Sequence, residues 1–179
     1  SGVSYEKLTP DKIVIVGFDE NVANEKFKPS MDTATHIEIY KRFPEIKAVV
    51  HTHSPYATIF AQNKKPIVCF GTTHADNFYG TIPITREMTK EEIEKNYESN
   101  TGKAICEILN IDIPVVLVAS HGPFIFGKSL NEAINNAVVL EKVAMMALHN
   151  DSTKQVNQYL LDKHYSRKHG KNRYYGQKE

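Results

Sequence analysis

Cysteine is scarce in this chain: among 179 residues only Cys69 and Cys106 carry thiols, isolated and without CxxC spacing. That pattern favours buried, reduced thiols over a disulfide, as a cytoplasmic protein would have. Long apolar runs are missing as well. No stretch approaches the roughly 18 to 20 residues of a membrane-spanning helix, and the opening SGVSYEKLTP lacks a basic segment followed by an apolar one. The expectation is a soluble, unsecreted, cytoplasmic protein with no membrane partner. Neither charge is in excess: 22 basic residues against 21 acidic give a formal +1, so no global field gathers nucleic acid, and charge-driven recognition must be local. Repeats, low-complexity segments and linkers are lacking too. There is no initiator Met, and a strand pattern begins within about ten residues, so the chain reads as an N-terminally truncated single domain spanning residues 1–179.

What is present is enough apolar sequence, 41%, to bury a real core. Lys12 to Gly17, Ala48 to Thr52, Ile67 to Gly71, Thr81 to Thr85, Val115 to Ala119 and Pro123 to Gly127 read as strands from their β-branched content and Gly or Pro borders. Helices lie between them. Thr33 to Phe43 places Ile37, Tyr40 and Phe43 at helical spacing, and Ser54 with Pro55 offers an N-cap and a first-turn proline. Thr89 with Glu92, and Ser129 with Glu132, each fit a capping box. The second opens a helix with Leu130, Ala133, Ile134, Ala137 and Val138 on one stripe, where Glu141 is an acid without an evident role. A last helix carries Leu160, Leu161 and Tyr165 and stops at Gly170. Interleaved strands and helices predict a layered α/β domain, with strand order left open.

The chemistry concentrates in HTHSPYATIFA, residues 51–61. Side chains two apart on a strand share a face, so His51 and His53 present two imidazoles side by side. Two readings are open for HxH alone: hydrogen-bonded histidines at a sheet edge, or metal ligands. A second apolar strand, VVLVASHG, ends in His121 just as AVVHTH ends in His51 and His53. Adjacent strand ends can bring three imidazoles together, the ligand set of a catalytic metal with an open position. Asp32, preceding a helix, is the candidate oxygen ligand or else an N-terminal carboxylate. Neutral imidazole without a nearby thiolate suits Zn²⁺. The binuclear hydrolase pattern HxHxDH is not continued, because Ser54, Pro55 and Tyr56 follow. His36 and His74 lie near these positions and are read as groups that orient ligands.

Four blocks, HTHSPYATIFAQ, GTTHADNFYGTIP, SHGPFIFGK and LLDKHYSRKHGKNRYYGQ, closely resemble the L-ribulose-5-phosphate 4-epimerases of the class II aldolase and epimerase superfamily, with similarity from Ser1 to Gln177. The resemblance implies a three-layer α/β/α fold around a largely antiparallel central sheet, one Zn²⁺ per subunit, and a homotetramer with active sites at subunit interfaces. It places the metal on Asp32, His51, His53 and His121. It gives acid and base roles to Asp76 and to Tyr175, the tyrosine entering from a neighbouring subunit. Phosphate contacts fall on Ser1, Gly2 and Ser30, with His164 of the HYSRKHG block a further contact. Two departures stand out: PSMD replaces the usual PSSD, so Met31 stands for a serine, and the family's N-terminal segment is absent.

The reaction so implied inverts a carbinol carbon that carries no acidic hydrogen, which simple deprotonation cannot do. Retroaldol cleavage and re-addition can, with a Lewis-acidic metal and two proton-transfer groups on opposite sides of the hydroxyl. Two alternatives share the histidines: an aldolase of the fuculose 1-phosphate type, against which Asp32 stands where those enzymes usually carry Glu, and a non-catalytic zinc-containing assembly module, against which Asp76 and the YYGQ tail stand.

Overall fold

A computed structural model describes residues 2–23, 26–171 and 173–174. Ser1 and Tyr175 lie outside the described residues. The chain forms two compact units, Ser1–Pro44 with Met88–Cys106, and Glu45–Glu87 with Glu107–Glu179.

In the first unit, helix α1 (Thr33–Arg42) starts at Asp32 and buries Thr35, Ile37 and Ile39. It packs with helix α5 (Tyr97–Ile108), to which Thr35 Oγ1 donates at the Glu98 carbonyl (2.7 Å). Ser99 Oγ donates in return to Glu38 Oε1 at 2.8 Å. Helix α4 (Lys90–Glu94) opens on the capping box its sequence predicts, Thr89 accepting from the Glu92 amide while the Glu92 carboxylate accepts from Thr89 N–H. The strand expected over Lys12 to Gly17 is not there. Lys12 ends a 3₁₀ turn (Pro10–Lys12), and only an isolated bridge, Val16 to Val22, forms nearby. Ile13 and Ile15 are 60% and 70% exposed. β-propensity describes fit to a pleated surface, and here no neighbouring strand offers one.

In the second unit, β1 (Ala48–His51), β2 (Val115–Leu117) and β3 (Pro123–Gly127) form an antiparallel sheet in the order β1-β3-β2. The register pairs His51 with Phe124 and Leu117 with Pro123, which brings the end of β1 and the turn between β2 and β3 to the same edge. The segments at Ile67 and Ile82 to Ile84 join by isolated bridges rather than as strands, since Pro66 and Pro83 have no N–H to donate. Helices α2 (Pro55–Gln62) and α6 (Leu130–Leu148) pack on the sheet and on each other. Ile67, Phe78, Val115, Leu117, Ile125 and Leu140 anchor the shared core. Gly127 lets α6 approach β3: a Cβ there would stand 2.5 Å from the Ala133 amide nitrogen.

The stripe expected on α6 divides. Ala133 is buried, but Leu130, Ile134 and Val138 stay 64%, 46% and 57% exposed, while Leu140, Val143 and Ala144 turn to the core. A short helix α3 (Thr72–Ala75) and the basic helix α7 (Gln158–His169), stopped at Gly170 as its sequence predicts, pack together in the same unit. The α/β class and the antiparallel sheet are those expected.

Candidate metal centre

His51 is the last residue of β1, so its position is set by the ladder and its ring by two further contacts. It stacks on Phe124 at 4.1 Å between centroids, and its Nδ1 lies 3.0 Å from the Pro123 carbonyl oxygen. Only a protonated Nδ1 can donate to that carbonyl, which leaves the Nε2 lone pair for a ligand. His53 follows two residues later, with its Nε2 3.2 Å from His51 Nε2.

His121 arrives from the other direction, on the tight turn after β2. Val118 N–H donates to the Gly122 carbonyl (2.9 Å) and His121 N–H to the Val118 carbonyl (3.0 Å). The Ala119 amide donates to the hydroxyl of buried Thr85 at 3.0 Å. Ser120 takes a left-handed φ of 62° at the turn's apex, its amide held by the Ala61 carbonyl at 2.9 Å. Gly122 is the residue that lets the two segments meet. A Cβ there would stand 2.9 Å from the Thr52 carbonyl oxygen and 3.2 Å from His53 Cδ2.

The outcome is a cluster in which the ligand nitrogens of His51, His53 and His121 lie within 4.8 Å of one another. The three rings meet edge to face, with centroids 4.8 to 5.0 Å apart. Edge-to-face rings turn nitrogens inward without stacking. Three imidazole nitrogen donors, with no thiolate among them, fit a divalent metal ion.

The other expected site residues divide between the two units. Asp32 sits at the N-cap of α1 with no side-chain capping bond; Ser30 Oγ accepts its backbone N–H at 3.3 Å. Both belong to the first unit, as does exposed Met31. Gly2 has a left-handed φ of 80°. Asp76 caps α3 and is the hub of a second cluster, formed with α7. Arg167 donates from Nη2 to both carboxylate oxygens at 2.9 Å, and from Nε to Oδ1 at 3.1 Å. His164 Nδ1 lies 3.0 Å from the same oxygen, and Lys168 Nζ is 3.7 Å from Oδ2. Burial pushes the Asp76 carboxyl up, but the hydrogen bonds from Arg167 and His164 and the Lys168 charge more than offset it and hold the group below the usual carboxylate range. His164, expected at a phosphate, therefore meets Asp76 here.

His74 is buried and bonds the Gly80 carbonyl oxygen through Nε2 at 2.7 Å, outside the histidine cluster. Two residues acquire roles that sequence reasoning left blank. Arg167 stood unassigned within the HYSRKHG block, and Glu141 had no partner in its own helix, so long-range contacts alone reveal them.

An antiparallel α/β fold carrying a metal-capable histidine triad at its strand ends is the class defined by these features. The family's sequence profile matches residues 1–148, and the chain belongs to the class II aldolase and adducin N-terminal domain family. It is similar to L-ribulose-5-phosphate 4-epimerase UlaF of Salmonella paratyphi B and of Salmonella paratyphi A, 47% identical in each case over 186 aligned residues that cover 99% of this chain and 82% of the relative. Among solved structures it is similar to an L-fuculose 1-phosphate aldolase (TM-score 0.73, 21% identity, 93% of this chain and 76% of that one). It is likewise similar to YgbL of Escherichia coli (TM-score 0.73, 24% identity, 91% and 78%). At these identities the structures establish the fold.

Proposed function

We propose that this chain is a Zn²⁺-dependent L-ribulose-5-phosphate 4-epimerase. It would convert L-ribulose 5-phosphate to D-xylulose 5-phosphate by retroaldol cleavage and re-addition, as a cytoplasmic homotetramer. The observation that carries this reading is the 47% identity over 99% of the chain to proteins of that name, joined to three imidazoles gathered at one point. His51, His53 and His121 would hold the ion, with Asp32 as the oxygen ligand. Zn²⁺, when bound, supplies a Lewis acid for the ketose carbonyl.

The chain's own groups do the rest. The Asp76 carboxylate, kept ionised by Arg167 and His164, would be the group that accepts the proton at the C4 hydroxyl. Tyr175 from a neighbouring subunit supplies the opposing acid. Arg167 and Lys168 place positive charge beside Asp76, where a phosphorylated fragment can be retained with His164 as a further contact; Ser1, Gly2 and Ser30 complete the phosphate contacts. The exposed Leu130, Ile134 and Val138 of α6 are the kind of surface that subunit association covers.

Metal analysis combined with a conversion assay tests the reading. We expect His53→Ala to lose both metal and turnover. Tyr175→Phe and Asp76→Asn should keep the metal while turnover falls by about a hundred to ten thousand fold. Wild-type turnover in Tyr175→Phe would remove the tyrosine from the mechanism. Purified, metal-loaded protein that does not convert L-ribulose 5-phosphate would end the epimerase reading.

A further inference from the structure

Glu141 lies in the middle of α6, yet its carboxylate serves another helix. The first turn of α2 begins with Pro55, and its next two amides need acceptors. Ser54 stands at the N-cap but makes no side-chain capping bond; its hydroxyl accepts instead from Thr52 Oγ1 at 3.3 Å. The Tyr56 amide donates to Glu141 Oε1 at 2.9 Å and the Ala57 amide to Oε2 at 3.1 Å. A carboxylate thus takes the place of the usual neutral cap at the positive end of the helix, some 85 residues away in sequence.

What precedes that turn gives the arrangement its consequence. Only Thr52, His53 and Ser54 separate the end of β1 from the start of α2. His51 is held by its strand, by Phe124 and by Pro123. His121 is held by the closed turn after β2. His53 is the exposed member of the triad, and its place depends on where both ends of a three-residue link are fixed.

We infer that Glu141 is a positioning residue for His53: by clamping the first amides of α2 it fixes the far end of the Thr52–Ser54 link and sets the third nitrogen in reach of a metal. This rests on the reading of the triad as a metal centre. Removing the carboxylate frees two part-buried amides and the link together, leaving His51 and His121 in place.

Chelator competition with Zn²⁺ on the full-length apo protein tests it. We expect Glu141→Ala to weaken Zn²⁺ affinity by about 10- to 100-fold, the range for groups that hold a ligand in place. Glu141→Gln, which keeps one acceptor oxygen, should restore part of the loss; it also decides the matter if the alanine variant does not fold. In a His53→Ala background the Glu141 substitution should add nothing, since both act through one ligand. Unchanged affinity in Glu141 variants whose melting temperature has dropped would overturn the inference and leave Glu141 a cap only. So would losses that simply add in the His53→Ala background. Wild-type protein that binds no Zn²⁺ would overturn the metal centre itself, a result visible before any variant is made.

Discussion

His74 shows how one residue's burial becomes a pH dependence of the whole fold. Burial lowers its pKa from 6.5 to about 4, only partly countered by its bond to the Gly80 carbonyl, so the folded chain holds it neutral. Between these two values the unfolded chain takes up a proton that the folded chain refuses, and stability falls as pH falls. The contribution is complete above about pH 6.5 and amounts to about 3 kcal/mol, lost progressively down to about pH 4. Unfolding free energies from urea titrations should therefore fall further between pH 7 and pH 4.5 for wild type than for His74→Gln, by about 2 to 3 kcal/mol; equal falls would show that His74 takes no part. Proximity in sequence suggested that this histidine orients a ligand, but a 3.6-residue turn at α3 carries it into the core instead. The same limit applies at Glu141, whose partners lie on α2. Residue identity announces chemistry, whereas long-range contact assigns it.

Among the elements, α7 depends on the Asp76 cluster more than on an apolar face. Of its residues only Leu161 is buried, while Arg167, His164 and Lys168 all converge on one carboxylate that is 15% exposed. Arg167→Leu should cost about 1 to 3 kcal/mol, as for a charged hydrogen bond with a partner left behind. Hydrogen exchange should rise across Gln158–His169; protection equal to wild type would mean that packing alone holds the helix. Helix ends were the most legible part of the sequence, because Thr89 with Glu92, Pro55 in a first turn, and Gly170 act through local geometry. Strands were less so. The KIVIVG segment has the composition of a strand but no partner ladder, and α6 carries two apolar faces of which only one meets the core. The histidine triad was readable because two strands end alike and the sheet pairs both with β3; the clamp on Asp76 was not, since no spacing rule links α3 to α7.

For the molecule as a whole, a metal shared by His51 and His121 joins points about 70 residues apart, a closure comparable to that of a disulfide spanning the same loop, nominally about 4 kcal/mol. Metal at a hundred times its dissociation constant stabilises the folded state by about 2.7 kcal/mol, so chelation should lower the melting temperature by roughly 5 to 10 °C at this chain length, reversed on adding Zn²⁺. An unchanged melting temperature would show that the triad holds no ion. The sheet order β1-β3-β2 then acquires a meaning of its own. Among the described residues β1 is an edge strand, the kind that can peel away and template pairing between chains, and it is the strand whose end bears two of the three ligands. Loading the ion therefore rivets that edge. The cost of metal starvation would be paid in solubility, with chelated protein turning turbid on warming well before loaded protein does.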